Sequence, residues 1–195
     1  MREHSPDSRT LFGGDGRWNG EDWTASDDRV RGGASQVGSV LAIATYGEPH
    51  KHRATFHGNL DTQTLGGAGF ASHRTVEPLH LDLSDYDGLE LVLDPTVSDN
   101  RKYTFIFKDE ILPRNPLNGR EQSTLSWEFD FEVPKASTCG SQEHAVTLFV
   151  PWQRFTATYR GKPKKDAKGP DLSKIERLSI MMRRLSTCPL GEHHD

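Results

Sequence analysis

The sequence predicts an all-β fold, a two-sheet sandwich of the jelly-roll kind. Three observations predict it. Apolar residues recur with a period of two rather than 3.6. Eighteen Gly and eleven Pro among 195 residues punctuate short runs. No stretch carries helical periodicity long enough for a bundle.

The candidate strands, in order, are Ser39–Thr45, Arg53–Leu60, Phe70–Val76, Leu89–Leu93, Lys102–Lys108, Leu125–Val133, Ala145–Val150 and Arg177–Arg183. The clearest is Trp127-Glu128-Phe129-Asp130-Phe131-Glu132-Val133, with aromatic and apolar side chains on one face and three carboxylates on the other. Tyr103-Thr104-Phe105-Ile106-Phe107 and Val146-Thr147-Leu148-Phe149-Val150 are denser, as fits strands covered on both faces. Turn chemistry separates the runs at Tyr86-Asp87-Gly88, Asn115-Pro116-Leu117-Asn118-Gly119 and Gly161-Lys162-Pro163. Asp27–Gly33 reads as a charged turn. Residues 1–10 are expected to form a flexible arm, 11–184 the sandwich domain, and 185–195 an irregular tail.

Composition narrows the function. Twenty-four Lys and Arg stand against 28 Asp and Glu, a net charge of −4, which argues against a general nucleic-acid binder. The two cysteines, Cys139 and Cys188, read as free thiols of a reducing compartment, and no glycosylation acceptor triplet occurs. The N-terminus lacks the apolar core of a signal peptide and carries Glu3, Asp7, Asp15, Glu21 and Asp22, where an organelle presequence should be poor in acids. No apolar run approaches the ~20 residues needed to span a bilayer. On these grounds the chain reads as soluble and intracellular.

Several patterns invite chemistry. The glycine run Thr64-Leu65-Gly66-Gly67-Ala68-Gly69-Phe70 lacks the Lys-Ser/Thr of a phosphate loop and no helix follows it, so close backbone approach at a sandwich corner is the stronger reading. Glu128, Asp130 and Glu132 share one strand face, as in the E-x-D-x-E motif of laminarinase-like glycosidases, but a solvent-facing or groove-lining strand has the same pattern. His50 and His52 would face one way on a strand without a third or fourth ligand, and His193 and His194 lie in the tail. The Lys162–Lys168 segment reads as a solvated loop. No nucleophile elbow is present, and Cys139 has no fixed basic neighbour.

A chain of motifs then resembles one family. Trp23-Thr24-Ala25-Ser26-Asp27-Asp28-Arg29-Val30-Arg31-Gly32-Gly33-Ala34-Ser35-Gln36 is similar to the opening motif of the complex I intermediate-associated protein 30 family, relatives of an NADH:ubiquinone oxidoreductase assembly factor. Matches follow in order at Phe56–Leu60, Thr64–Ser72, Leu83–Leu89, Tyr103–Phe105, Val150–Trp152, Phe155, Tyr159–Gly161 and Ile175–Met182. The resemblance spans roughly residues 11–183. It implies a galactose-binding-like jelly-roll β-sandwich and a non-catalytic assembly factor or chaperone for mitochondrial complex I, with protein partners, no cofactor, no metal and no catalytic residues. It implies a mitochondrial location, whereas the chain shows no presequence and otherwise reads as cytoplasmic. The family continues past its Ile-Met-Met strand into a Gly-Phe strand, where this sequence ends Cys188–Asp195, so a bare sheet edge is expected.

Within that reading, end loops held by a rigid sandwich are the expected docking elements. Asp28, Arg29, Arg31, Arg74, Tyr159 and Arg160 are the expected partner-binding residues, with the arginines forming one polar mouth. The alternative is a carbohydrate- or small-ligand-binding module using Trp23, Trp127 and Trp152 as stacking platforms, and after it a glycosidase using Glu128 and Glu132.

Overall fold

The computed structural model describes residues 8–14, 18–27, 34–40, 54–61, 63, 69–133 and 145–184. Outside them lie Asp28, Arg29, Arg31, most of the glycine run, His50, His52, both cysteines and the tail. Among the described residues there are eleven strands: β1 (Trp23–Asp27), β2 (Gln36–Val40), β3 (Thr55–Asn59), β4 (Gly69–Thr75), β5 (Gly88–Leu93), β6 (Lys102–Lys108), β7 (Ser126–Glu132), β8 (Val146–Pro151), β9 (Thr156–Tyr159), β10 (Lys162–Pro163) and β11 (Arg177–Arg184). All pairings among the named strands are antiparallel. The fold is an all-β jelly-roll sandwich.

One layer is a seven-stranded sheet in the order β1-β4-β11-β6-β7-β9-β10. Two pairs, β5–β8 and β2–β3, lie against its inner face. Alternation decides what meets in between. The registers Phe107↔Trp127, Phe105↔Phe129 and Tyr103↔Phe131 line up aromatic rings on that face, with Leu178 and Ile180 beside them. Leu89, Leu91, Leu93, Leu148 and Val150 close the core from β5 and β8. Phe107, 1% exposed, sits edge-on to Phe155 at 4.9 Å and Trp152 at 5.6 Å, and stacks on Trp127 at 6.2 Å. Burying one such ring stabilises the fold by roughly 2–3 kcal/mol.

Seven expected strands keep their edges to within two residues, whereas β2 starts at Gln36, three residues before the expected Ser39, and the rest of that expected strand, residues 41–45, lies outside the described residues. Three predicted features change more. β1 carries Asp27, so the charged turn begins no earlier than Asp28. β1, β9 and β10 are not among the expected strands. β9 is four residues long with Ala157 as a buried inward residue, too little apolar signal to register as a period. β8 is not covered on both faces, since Phe149, on the face away from Leu148 and Val150, is 52% exposed. Among the described residues its layer there is the β5–β8 pair alone, with core on one side.

The bare edge expected after the last strand does not fall on β11, which lies between β4 and β6. Gly88 opens β5 rather than closing a turn. A Cβ at Gly88 would collide with the Val150 carbonyl and the Pro151 Cα, so only glycine lets β5 and β8 meet there.

Candidate functional site

The outer face of the seven-stranded sheet is polar, yet much of it is buried. Thr104 is 2% exposed, Thr158 and Arg177 6%, and Glu128 8%. These side chains cover one another. Thr104 donates its hydroxyl to Asp130 Oδ1 at 2.7 Å, and Thr158 donates to Glu128 Oε1 at 2.6 Å. Arg183 reaches both acids, at 2.7 Å from Glu128 Oε2 and 3.5 Å from Asp130 Oδ1. The first is an ion contact whose angles depart from hydrogen-bond alignment. Charge pairing in a low-dielectric setting is what permits Glu128 to be buried at all.

This arrangement bears on the carboxylate motif. Glu128 is clamped by Thr158 and Arg183, whereas Glu132 is exposed and stands opposite Lys102 in the β6–β7 register. The two carboxylates do not share an open surface. Trp127 and Trp152 are buried in the core, and Trp23 packs in an aromatic cluster with Phe12, Trp18 and His73. Among the described residues no group of three His, Cys, Asp or Glu could hold a metal ion, and no helix is long and apolar enough to cross a membrane.

The other half of the outer face is governed by the loop between β6 and β7. At its base Asp109 Oδ2 accepts from Trp127 Nε1 at 3.1 Å and from the Asp171 amide at 2.9 Å, and Glu176 accepts the Ile111 amide. Near the apex the Asn115 amide donates to the Arg120 carbonyl at 2.9 Å, and Gly119 donates back to Asn115 at 2.8 Å. Arg114 donates to the Gly119 carbonyl and Gln122 to that of Pro113. The turn predicted at Asn115–Gly119 is therefore a braced hairpin, with Leu117 93% exposed at its tip.

This loop then lies down on the sheet. Glu121 Oε1 meets Arg74 at 2.8 Å and Arg114 at 3.9 Å, while its Oε2 accepts from Arg177 at 3.2 Å. Lys108 donates to Thr124 Oγ1 at 2.9 Å. Burial, and then the neighbouring Arg177, holds the Lys108 ammonium below the usual lysine range. Arg177 is lowered in the same way, first by burial and then by Arg74.

Arg160 donates to Ser123 Oγ at 3.3 Å and lies over the Tyr159 ring, 5.4 Å from its centroid. Arg160 and Gly161 link β9 to β10 with φ of 52° and 75°, the signature of a type I′ hairpin. A non-glycine residue in that region costs about 1 kcal/mol, and Arg lacks the local hydrogen bonding that eases Asn or Asp there.

Of the residues expected at the mouth, Arg74 and Arg160 both bond the 121–123 segment of this loop, and Tyr159 packs beneath Arg160. Asp28, Arg29 and Arg31 lie outside the described residues. Sequence reasoning missed Lys108, Arg177, Glu121 and Leu117. Alternation along β6 and β11 could have put Lys108 and Arg177 on the outer face. No pattern in the sequence signals that a loop carboxylate comes to meet them.

Comparison with known proteins fits this architecture. Two solved structures share it, each covering 82% of this chain at 16% identity. One is the family 11 carbohydrate-binding module of a Clostridium thermocellum cellulosomal cellulase, with a TM-score of 0.51 over 77% of its own length. The other is the family 11 module from Clostridium thermocellum in complex with a β-1,3-1,4-mixed-linked tetrasaccharide, with a TM-score of 0.50 over 78%. At that identity they show the fold alone. An uncharacterized protein of Schizosaccharomyces pombe is 40% identical over 184 residues, which is 94% of this chain and 78% of that protein. The model of complex I intermediate-associated protein 30 matches residues 13–191. That match takes in every described strand, and the chain belongs to the complex I intermediate-associated protein 30 family.

Proposed function

We propose that this chain is a non-catalytic docking module that holds protein partners during the assembly of respiratory complex I, in mitochondria. Family membership supports the assembly role. The observation that carries the docking surface is the braced β6–β7 loop, which borders Arg74 and Arg160 together at one end of the sheet. A rigid loop lowers the ordering cost of association, and arginine beside an exposed tyrosine is the composition of protein-binding hot spots. The backbone at Arg160 fits the same reading, since unfavourable φ persists where surrounding structure holds a residue for use. Asp28, Arg29 and Arg31 are proposed to complete the mouth.

The experiment is affinity purification of tagged wild-type protein and an Arg160→Asn variant, from mitochondria and cytosol separately. Asn tolerates positive φ, so this variant keeps the turn and loses the guanidinium. Complex I subunits should co-purify from mitochondria with wild type and fall at least threefold with Arg160→Asn. Recovery of no complex I subunit from either fraction would remove the assembly role. Equal recovery with both proteins would move the docking surface elsewhere. Calorimetric titration with a mixed-linked β-glucan tetrasaccharide is expected to stay flat, and saturable heat would favour the sugar-binding alternative.

A further inference from the structure

The cluster around Glu121 is unbalanced. Arg74, Arg114 and Arg177 converge on this single carboxylate, and Lys108 beside them feels Arg177 as well as the acids Glu121, Asp109 and Glu128. Nor are the donors exhausted. Arg177 Nε is buried and has no hydrogen-bond acceptor. A buried cation with an unmet donor is costly, and native structures keep one where something else completes it.

The anchoring is also uneven. Arg74 and Arg177 stand on β4 and β11 inside the seven-stranded sheet, with side chains 18% and 8% exposed. Glu121 hangs from a loop and is 38% exposed. The acid can leave without unpairing a strand, whereas the cations cannot.

We propose that Arg74, Arg177, Lys108 and Arg114 form a cradle for an oxyanion, the carboxylate of an acidic segment on a protein partner, and that Glu121 is its resident intramolecular occupant. An incoming carboxylate takes the place of Glu121 between Arg74 and Arg177. There it accepts charge-assisted hydrogen bonds from the two guanidinium groups. The Glu121 side chain then turns to solvent while the braced loop, with Arg114, stays in place. That the oxyanion comes from a protein rests on the docking function proposed above, whereas the cradle itself does not.

The test is calorimetric titration of the full chain with a terminally blocked hexaglutamate peptide, at about 20 and about 300 mM NaCl so that screening can be read. A tethered competitor acts at millimolar effective concentration, so neutralising it by Glu121→Gln should tighten peptide binding by about tenfold. Adding Arg74→Gln to that variant should reverse the gain. Equal affinity in wild type and Glu121→Gln, or a gain that survives Arg74→Gln, overturns the cradle. Inorganic phosphate serves as a second probe, and tighter binding of phosphate than of peptide to Glu121→Gln would overturn the carboxylate assignment. Should Glu121→Gln fail to fold, Arg74→Gln alone carries the test: affinity for hexaglutamate must fall at least threefold, and no change rejects the proposal. Loss of complex I subunits from the affinity purification with peptide binding intact would sink the assembly role and leave the cradle standing.

Discussion

Each face of the seven-stranded sheet holds deeply buried residues, and different forces bury them. On the inner face Phe107 is 1%, Leu178 3% and Trp127 5% exposed. On the outer face Thr104 is 2%, Arg177 6% and Glu128 8% exposed. Inner residues are held by apolar burial and ring packing, which are non-directional. Outer residues are held by pairwise donors and acceptors, each of which strands a partner when removed. Low exposure alone therefore does not say how a residue responds to substitution. The inner face should fail by losing volume, and the outer face by orphaning charge.

The largest effect expected is at the ring that touches three others. Phe107→Ala should cost about 4 kcal/mol, read by denaturant unfolding. Next is Glu128→Met, which takes the acceptor from Thr158 and leaves Arg183 with Asp130 alone, and should cost about 2 kcal/mol. Adding Arg183→Met should recover most of that loss, because an apolar pair of similar volume can replace a buried ion pair. If the double variant instead loses the sum of the two single effects, packing rather than pairing governs this face, and the contrast between the faces collapses. Thr104→Val should cost about 1 kcal/mol by removing the hydroxyl that serves Asp130.

The smallest effect is a pH slope on the inner side. His73 stacks on Trp23 at 6.1 Å, and burial holds its imidazole below the ordinary value of 6.5. The unfolded chain therefore takes up the proton first as pH falls. This group leaves stability untouched above that range and lowers it as pH drops through 6.5 toward the folded value. Between about pH 7.5 and 5.5 the wild type should lose more stability than His73→Gln. Equal slopes would mean that His73 keeps its solution pKa.

How much of this could be read beforehand varies by residue. Trp127, Phe129 and Phe131 alternate with Glu128, Asp130 and Glu132, so β7 and its two faces were legible, and β6 matches its predicted bounds. β9 was not legible, because its place depends on Trp127↔Ala157 pairing with a strand remote in sequence. The three carboxylates of β7 were legible as one face but not as unequal. Glu128 is buried because Thr158 and Arg183 arrive from β9 and β11, and among the described residues nothing arrives to cover Glu132 in the same way. The proposed site divides likewise. Arg74 and Arg160 read as loop-end cations, yet Arg74 stands within β4 and Arg160 alone lies in a turn, while their common neighbour, the 121–123 segment, is visible only in three dimensions.

By itself the sequence determined the all-β class, the central strands, the inward aromatic face and the family, because side-chain alternation and ordered motifs are local properties of a chain. Only the tertiary structure decided that β11 threads between β4 and β6, that the polar face is buried, and that Glu121 sits among the cations. Those facts depend on contacts between residues far apart in the chain, as with Arg74 and Glu121. Such contacts are set by loop closure and mutual charge compensation, which leave no period for a sequence to display.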